Sequence, residues 1–115
     1  MAQYLVLIYG DEESWANAGQ EIYDLTMKEH MEFGEKHGAA IQGGNALQPT
    51  TTATSIRSDG DGGFTVTDGA FAETKEALGG YYVIEADDLD AAIAIAKDTP
   101  ARFGGVELRP VMVFD

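Results

Sequence analysis

The first apolar run in the chain, Tyr4 to Tyr9 (YLVLIY), has no polar interruption and ends at Gly10-Asp11-Glu12-Glu13. A short, continuous run of strand-forming residues predicts a β-strand with apolar side chains on both faces. Ser14 to Gly19, which holds the only tryptophan, Trp15, reads as an entry loop. From Gln20 to His37 the period becomes helical. At about 100° per residue, Ile22, Tyr23, Thr26, Met27, His30, Met31, Phe33, Gly34 and His37 share one half of the wheel. Asp24, Lys28, Glu29, Glu32, Glu35 and Lys36 share the other half with Leu25, and Gly38 is the stop.

Ala39 to Leu47 (AAIQGGNAL) predicts a short, glycine-kinked strand, broken by Gln48-Pro49. Thr51 to Arg57 and Phe64 to Thr67 read as strands, and Asp59-Gly60-Asp61-Gly62-Gly63 between them is a hairpin signal. Asp68 to Leu78 opens with a turn and continues with helix formers, a stretch too short for an autonomous helix. Gly80 to Ala86 is a further strand. Asp87 or Asp88 then caps a second helix to about Asp98, with Leu89, Ala92, Ile93 and Ala96 on one face, and Pro100 closes it. Val106 to Phe114 is the last strand.

This order is an elaborated βαββαβ arrangement, so the expected fold is α+β and ferredoxin-like: one antiparallel sheet with two helices on one face. The strands at Tyr4 to Tyr9 and Val106 to Phe114 are apolar on both sides, and two helices cover only one. At roughly 25 cal/mol per Å² of apolar surface, an uncovered second face forfeits many kcal/mol. A homodimer joined sheet to sheet about a two-fold axis, of the dimeric α/β-barrel type, is the simplest remedy.

Composition narrows the function classes. The 115 residues suit one domain, 1–115, with one core. Seven basic against twenty acidic residues give a formal net charge of −13, which repels nucleic-acid backbones and anionic membrane surfaces. No segment approaches the roughly 20 apolar residues of a membrane span, and the start lacks the basic lead and longer apolar run of a secretory signal. The absence of cysteine excludes a disulfide framework and a thiolate nucleophile, and fits a cytoplasmic protein.

His30, near the middle of the apolar half of its helix, is the first candidate for chemistry. It is either a core histidine whose ring nitrogens are satisfied by backbone or hydroxyl partners or a general acid/base tuned by burial and a carboxylate. No carboxylate shares its helix face; Asp68, Glu73 and Asp98 are the candidate partners. His37 sits two turns away, too far to chelate one ion with His30, so no metal site is expected. The stretch at 59–63 lacks the alternating ligands of a calcium loop, and phosphate-loop, dinucleotide and nucleophile-elbow motifs are missing. No cofactor is expected. The passage Asp68-Gly69-Ala70-Phe71-Ala72-Glu73-Thr74-Lys75-Glu76, with Leu78-Gly79-Gly80-Tyr81-Tyr82 after it, is the most distinctive in the chain. It is either an ordinary connection or a loop lining a pocket. With His30, Asp68 and Glu73 as acid/base candidates, Lys75, Tyr82 and Arg109 are the residues expected to bind a small-molecule substrate.

That passage resembles the DGPF motif of the YCII-related domain family and its continuation, with Ala70 where the motif has proline. The opening YLVLIYGDE, the helix histidine, GGNALQP, DDLDAA and the closing VELRP resemble the same family in the same order. The resemblance implies a ferredoxin-like fold and a homodimer. It also implies one of two roles: a small cofactor-independent enzyme acting on cyclic compounds, or a non-catalytic regulatory module associated with extracytoplasmic-function sigma factors. In the enzymatic relatives a helix histidine pairs with an aspartate just after the second helix. The histidine matches His30; the residue before Pro100 is Thr99, with Asp98 one place earlier.

Overall fold

The computed structural model describes residues 1–71 and 75–114. Strand β1 (Ala2–Asp11) leads into a short helix α1 (Glu12–Ala16) and the long helix α2 (Gln20–His37). Strand β2 (Ile41–Ala46) and a 3-10 turn (Thr50–Thr52) precede β3 (Thr54–Ser58) and β4 (Phe64–Asp68). Strand β5 (Glu76–Ala86), helix α3 (Leu89–Ala96) and strand β6 (Gly104–Pro110) complete the chain. Four strands form a sheet in the order β2-β5-β1-β6, antiparallel throughout, and β3-β4 form a separate hairpin. This is the expected α+β, ferredoxin-like arrangement.

Helices α2 and α3 lie on one face of the sheet. Val6 and Ile84, fully buried, form the core with Tyr4, Ala86 and the α3 residues Ala92 and Ala96. Two small alanines on consecutive turns let α3 approach the strands closely, and the Asp88 carboxylate caps it by accepting from the Ala91 N–H at 2.8 Å. Tyr82 shares the Ile84 face by strand alternation and meets Phe33 of α2, ring centroids 4.9 Å apart. The opposite face carries Leu5, Leu7, Tyr9, Leu78, Tyr81 and Val83, each half-buried, and neither long helix packs there.

Several elements depart from the sequence expectation. Glu12–Ala16 is a helix instead of a loop, stitched to its surroundings by Trp15, which packs edge-on against Phe103 and accepts at its carbonyl from the Tyr23 hydroxyl. Strand β5 begins at Glu76, where helix formers are paired to the end of β1; a bulge between Ile8 and Tyr9 lets the register absorb Gly79. The part of the expected helix at 72–74 lies outside the described residues. Strand β6 stops at Pro110 instead of running to Phe114, since proline offers no ladder donor, and Val111 makes one last bond to the Gln3 carbonyl. Val111 to Phe114 are consequently exposed.

The hairpin turn uses Gly60 and Gly62 at φ of 89° and 84°, while the Asp59 carboxylate accepts from the Asp61 and Gly63 N–H groups. The 3-10 turn that precedes it is tied to α1: the Glu12 carboxylate accepts from both the backbone N–H and the hydroxyl of Thr50. Among the described residues no helix is long and apolar enough to cross a membrane.

Candidate functional site

Helix α2 presents His30 to the sheet, and its partner there is a phenol. His30 Nδ1 lies 2.7 Å from the Tyr82 hydroxyl in a half-buried setting. The rings sit 5.9 Å apart between centroids, with Phe33 packed on the other side of Tyr82. Burial holds the imidazole below its ordinary value, opposed in part by the neighbouring Glu29 carboxylate, and burial raises the Tyr82 hydroxyl. Both groups are therefore neutral near pH 7. A neutral imidazole has one N–H and one lone pair, and a phenol can give or accept, so either tautomer satisfies the bond. With hydrogen on Nδ1, the ring donates to the phenol oxygen. The Nε2 lone pair is then free to take a proton, and the Tyr82 O–H is free to give one.

Tyr82 packs directly on the edge strand, and for a steric reason that strand carries glycine there. Gly44 of β2 pairs with Tyr82, and a Cβ on it would come within 2.5 Å of the Tyr81 carbonyl oxygen and 2.8 Å of the Tyr82 ring. Only glycine lets the edge strand lie this close to the tyrosine. On the helix side, Met27 and Met31 flank His30 on α2 and remain exposed.

The partner of His30 is a hydroxyl, as the core-histidine alternative expects, in place of a carboxylate, and Asp98 goes elsewhere. Asp98 Oδ2 accepts from His37 Nε2 at 2.7 Å and from Lys36 Nζ at 2.9 Å. These hydrogen bonds hold its carboxyl below the usual range, His37 contributing most. His30 and His37 are seven residues apart and so only about 20° apart around the helix. Periodicity gives them one face; the axial offset decides which of them meets the acid after α3. An open depression of about 300 Å³ beside this second pair is lined by Glu29, Glu32, Phe33, Lys36, Asp98 and Pro100.

The remaining candidates are spread out. Asp68 ends β4 in the hairpin and is exposed. Arg109 opposes Leu5 in the register, which places it on the sheet face away from His30 and Tyr82. It cannot share their site within one chain, because successive strand residues point to opposite faces. Lys75 is exposed just before β5, and Glu73 lies outside the described residues. Arg102, which the sequence did not single out, is bonded to Glu29 at 2.7 Å, next to His30. No local signal marks such a pair, 73 positions apart. Among the described residues no three histidine or acidic side chains gather closely enough to hold a metal ion.

The comparison with known proteins agrees with this fold. An uncharacterised protein of Rhizobium meliloti (strain 1021) is 35% identical over 117 residues, covering 96% of this chain and 93% of that one. The model of the YCII-related domain matches residues 2–115. With an antiparallel βαββαβ core and a match over nearly its whole length, the chain belongs to the YCII-related domain family.

Proposed function

We propose that the protein is a small enzyme that moves a proton on a compact cyclic organic substrate, with His30 and Tyr82 as the acid/base pair. The reading rests on one observation: a half-buried, neutral imidazole held at 2.7 Å from a half-buried, neutral phenol. His30 Nε2 takes the proton from a carbon next to a carbonyl. The Tyr82 O–H gives its hydrogen to the carbonyl oxygen, and the imidazolium N–H on Nδ1 re-supplies the phenol. The exposed apolar flank of Met27 and Met31 beside His30 suits an apolar ring in place of a charged ligand.

The experiment is exchange of enolisable C–H for deuterium in small cyclic ketones and lactones, followed by proton NMR in D₂O. Wild type should exchange at least one member of such a panel, and His30→Gln should slow it about 10²- to 10⁴-fold, the ordinary contribution of a general base. If a compound shifts the His30 resonances with no exchange above buffer, the protein is a binding module and the catalytic reading is wrong.

A further inference from the structure

The carboxylate next to His30 in the chain is held from outside its helix. Glu29 precedes His30 on α2, about 100° round the axis, so it does not face the imidazole and acts on it by charge instead of by a bond. The Arg102 guanidinium donates to the Glu29 carboxylate at 2.7 Å. Arg102 stands in the turn between α3 and β6, and that turn is fixed on both sides. The Gly104 N–H donates to the Ala101 carbonyl and the Asp11 N–H to the Phe103 carbonyl. A Cβ on Gly104 would overlap the Tyr9 carbonyl oxygen, so glycine is what lets the turn sit against β1. The guanidinium therefore reaches the helix from a frame docked on the sheet.

The other titratable and charged groups on the elements around His30 are few. Strand β5 offers Tyr82, which is neutral, and β2 (Ile41–Ala46) has none. Helix α3 carries only Asp90, in its exposed first turn, and Asp98 beyond it is taken up by His37 and Lys36. Glu29 is thus the charge that reaches His30, working against the burial of the ring. The Glu29 and Arg102 side chains are 40% and 25% exposed, and pairs that wet add little to stability, so the effect of this one falls on the field at His30 more than on the fold.

We propose that Arg102 is a positioning residue for the acid/base pair: by holding the Glu29 carboxylate, it sets how much negative charge His30 feels. The inference rests on the acid/base reading of His30 and Tyr82. With the guanidinium in place the carboxylate is largely neutralised, and the imidazole stays a proton acceptor. Without it the bare carboxylate favours the imidazolium, and at a given pH less base is available to take a proton.

Proton NMR titration of the His30 ring in the full chain tests this, and His30→Gln, which removes one of the two histidine signals, assigns it. Arg102→Gln should raise the His30 midpoint by about 0.3–1 pH unit, and Glu29→Gln should lower it by a similar amount. Arg102→Lys, which keeps the charge, should return the midpoint most of the way to wild type. In the Glu29→Gln background, adding Arg102→Gln should move the midpoint less than half as far as it does alone, because the guanidinium acts through the carboxylate. Should Arg102→Gln fail to fold by circular dichroism, Glu29→Gln and Arg102→Lys carry the test. In the deuterium-exchange assay the acid limb of the pH–rate profile should move with the midpoint. A His30 midpoint that stays or falls in Arg102→Gln, stays or rises in Glu29→Gln, or responds to Arg102→Gln equally without Glu29 overturns the inference. Absence of exchange in every protein would instead sink the enzyme reading, while the midpoints still decide the role of Arg102.

Discussion

Replacing Tyr82 with phenylalanine isolates the hydrogen bond to His30. The ring stays, so its contact with Phe33 at 4.9 Å is kept, and one 2.7 Å bond is lost. A neutral hydrogen bond contributes about 0.5–1.5 kcal/mol net, and leaving a half-buried ring nitrogen without its partner adds to the loss. The expected destabilisation is about 1–2 kcal/mol, or a fall of about 3–8 °C in Tm for a chain of this size. Urea unfolding followed by Trp15 fluorescence measures it. The same protein should show a His30 resonance that titrates below the ordinary 6.5, because desolvation is the main cause and survives the substitution. The sign for stability follows. Between the folded and unfolded values the unfolded chain binds more protons, so the contribution of neutral His30 is complete above about 6.5. It declines as the pH falls toward the folded value. Wild-type His30 titrating at or above 6.5, or a Tyr82→Phe loss under about 0.3 kcal/mol, would refute the buried pair.

Other substitutions test the surrounding frame. Gly44→Ala should cost about 1–3 kcal/mol and shift the His30 resonances, because the new methyl meets backbone and the Tyr82 ring, whereas Gly43→Ala, with open space around its Cβ, should be nearly neutral in the same urea assay. Asp88→Ala should lower stability by about 0.5–2 kcal/mol through loss of the α3 cap. The depressed Asp98 carboxyl contributes stability that is present above its ordinary 3.8 and lost as pH falls through the folded value. Thermal melts between pH 2 and 5 should therefore flatten in Asp98→Asn.

The chain's pattern reveals the fold because the alternation between strand and helix periods is strong at Tyr4–Tyr9, Gln20–His37 and Leu89–Ala96. It misleads where tertiary pairing outweighs local propensity. Glu76, Ala77 and Leu78 are helix formers drawn into β5 by the end of β1, and Glu12–Ala16 folds as a helix because Trp15 packs on Phe103, far along the chain. The histidine of the site is visible as a titratable group on an apolar face. Its phenolic partner is less so: Tyr82 is recognisable as a pocket residue, but the bond joins positions 52 apart and depends on where α2 stops along the sheet. The placement of Arg109 on the far face follows from strand register, which a run of apolar residues on both faces leaves open.

The double grip of Glu12 on Thr50 has a mechanical consequence. Glu12 opens α1 and Thr50 opens the 3-10 turn ahead of the hairpin, so the two bonds fasten the connection between β2 and β3 to the helix that follows β1. Trp15 stands three residues past that clamp, wedged between Tyr23 and Phe103. The lone indole thus reports on how α1 seats against α2 and the turn before β6.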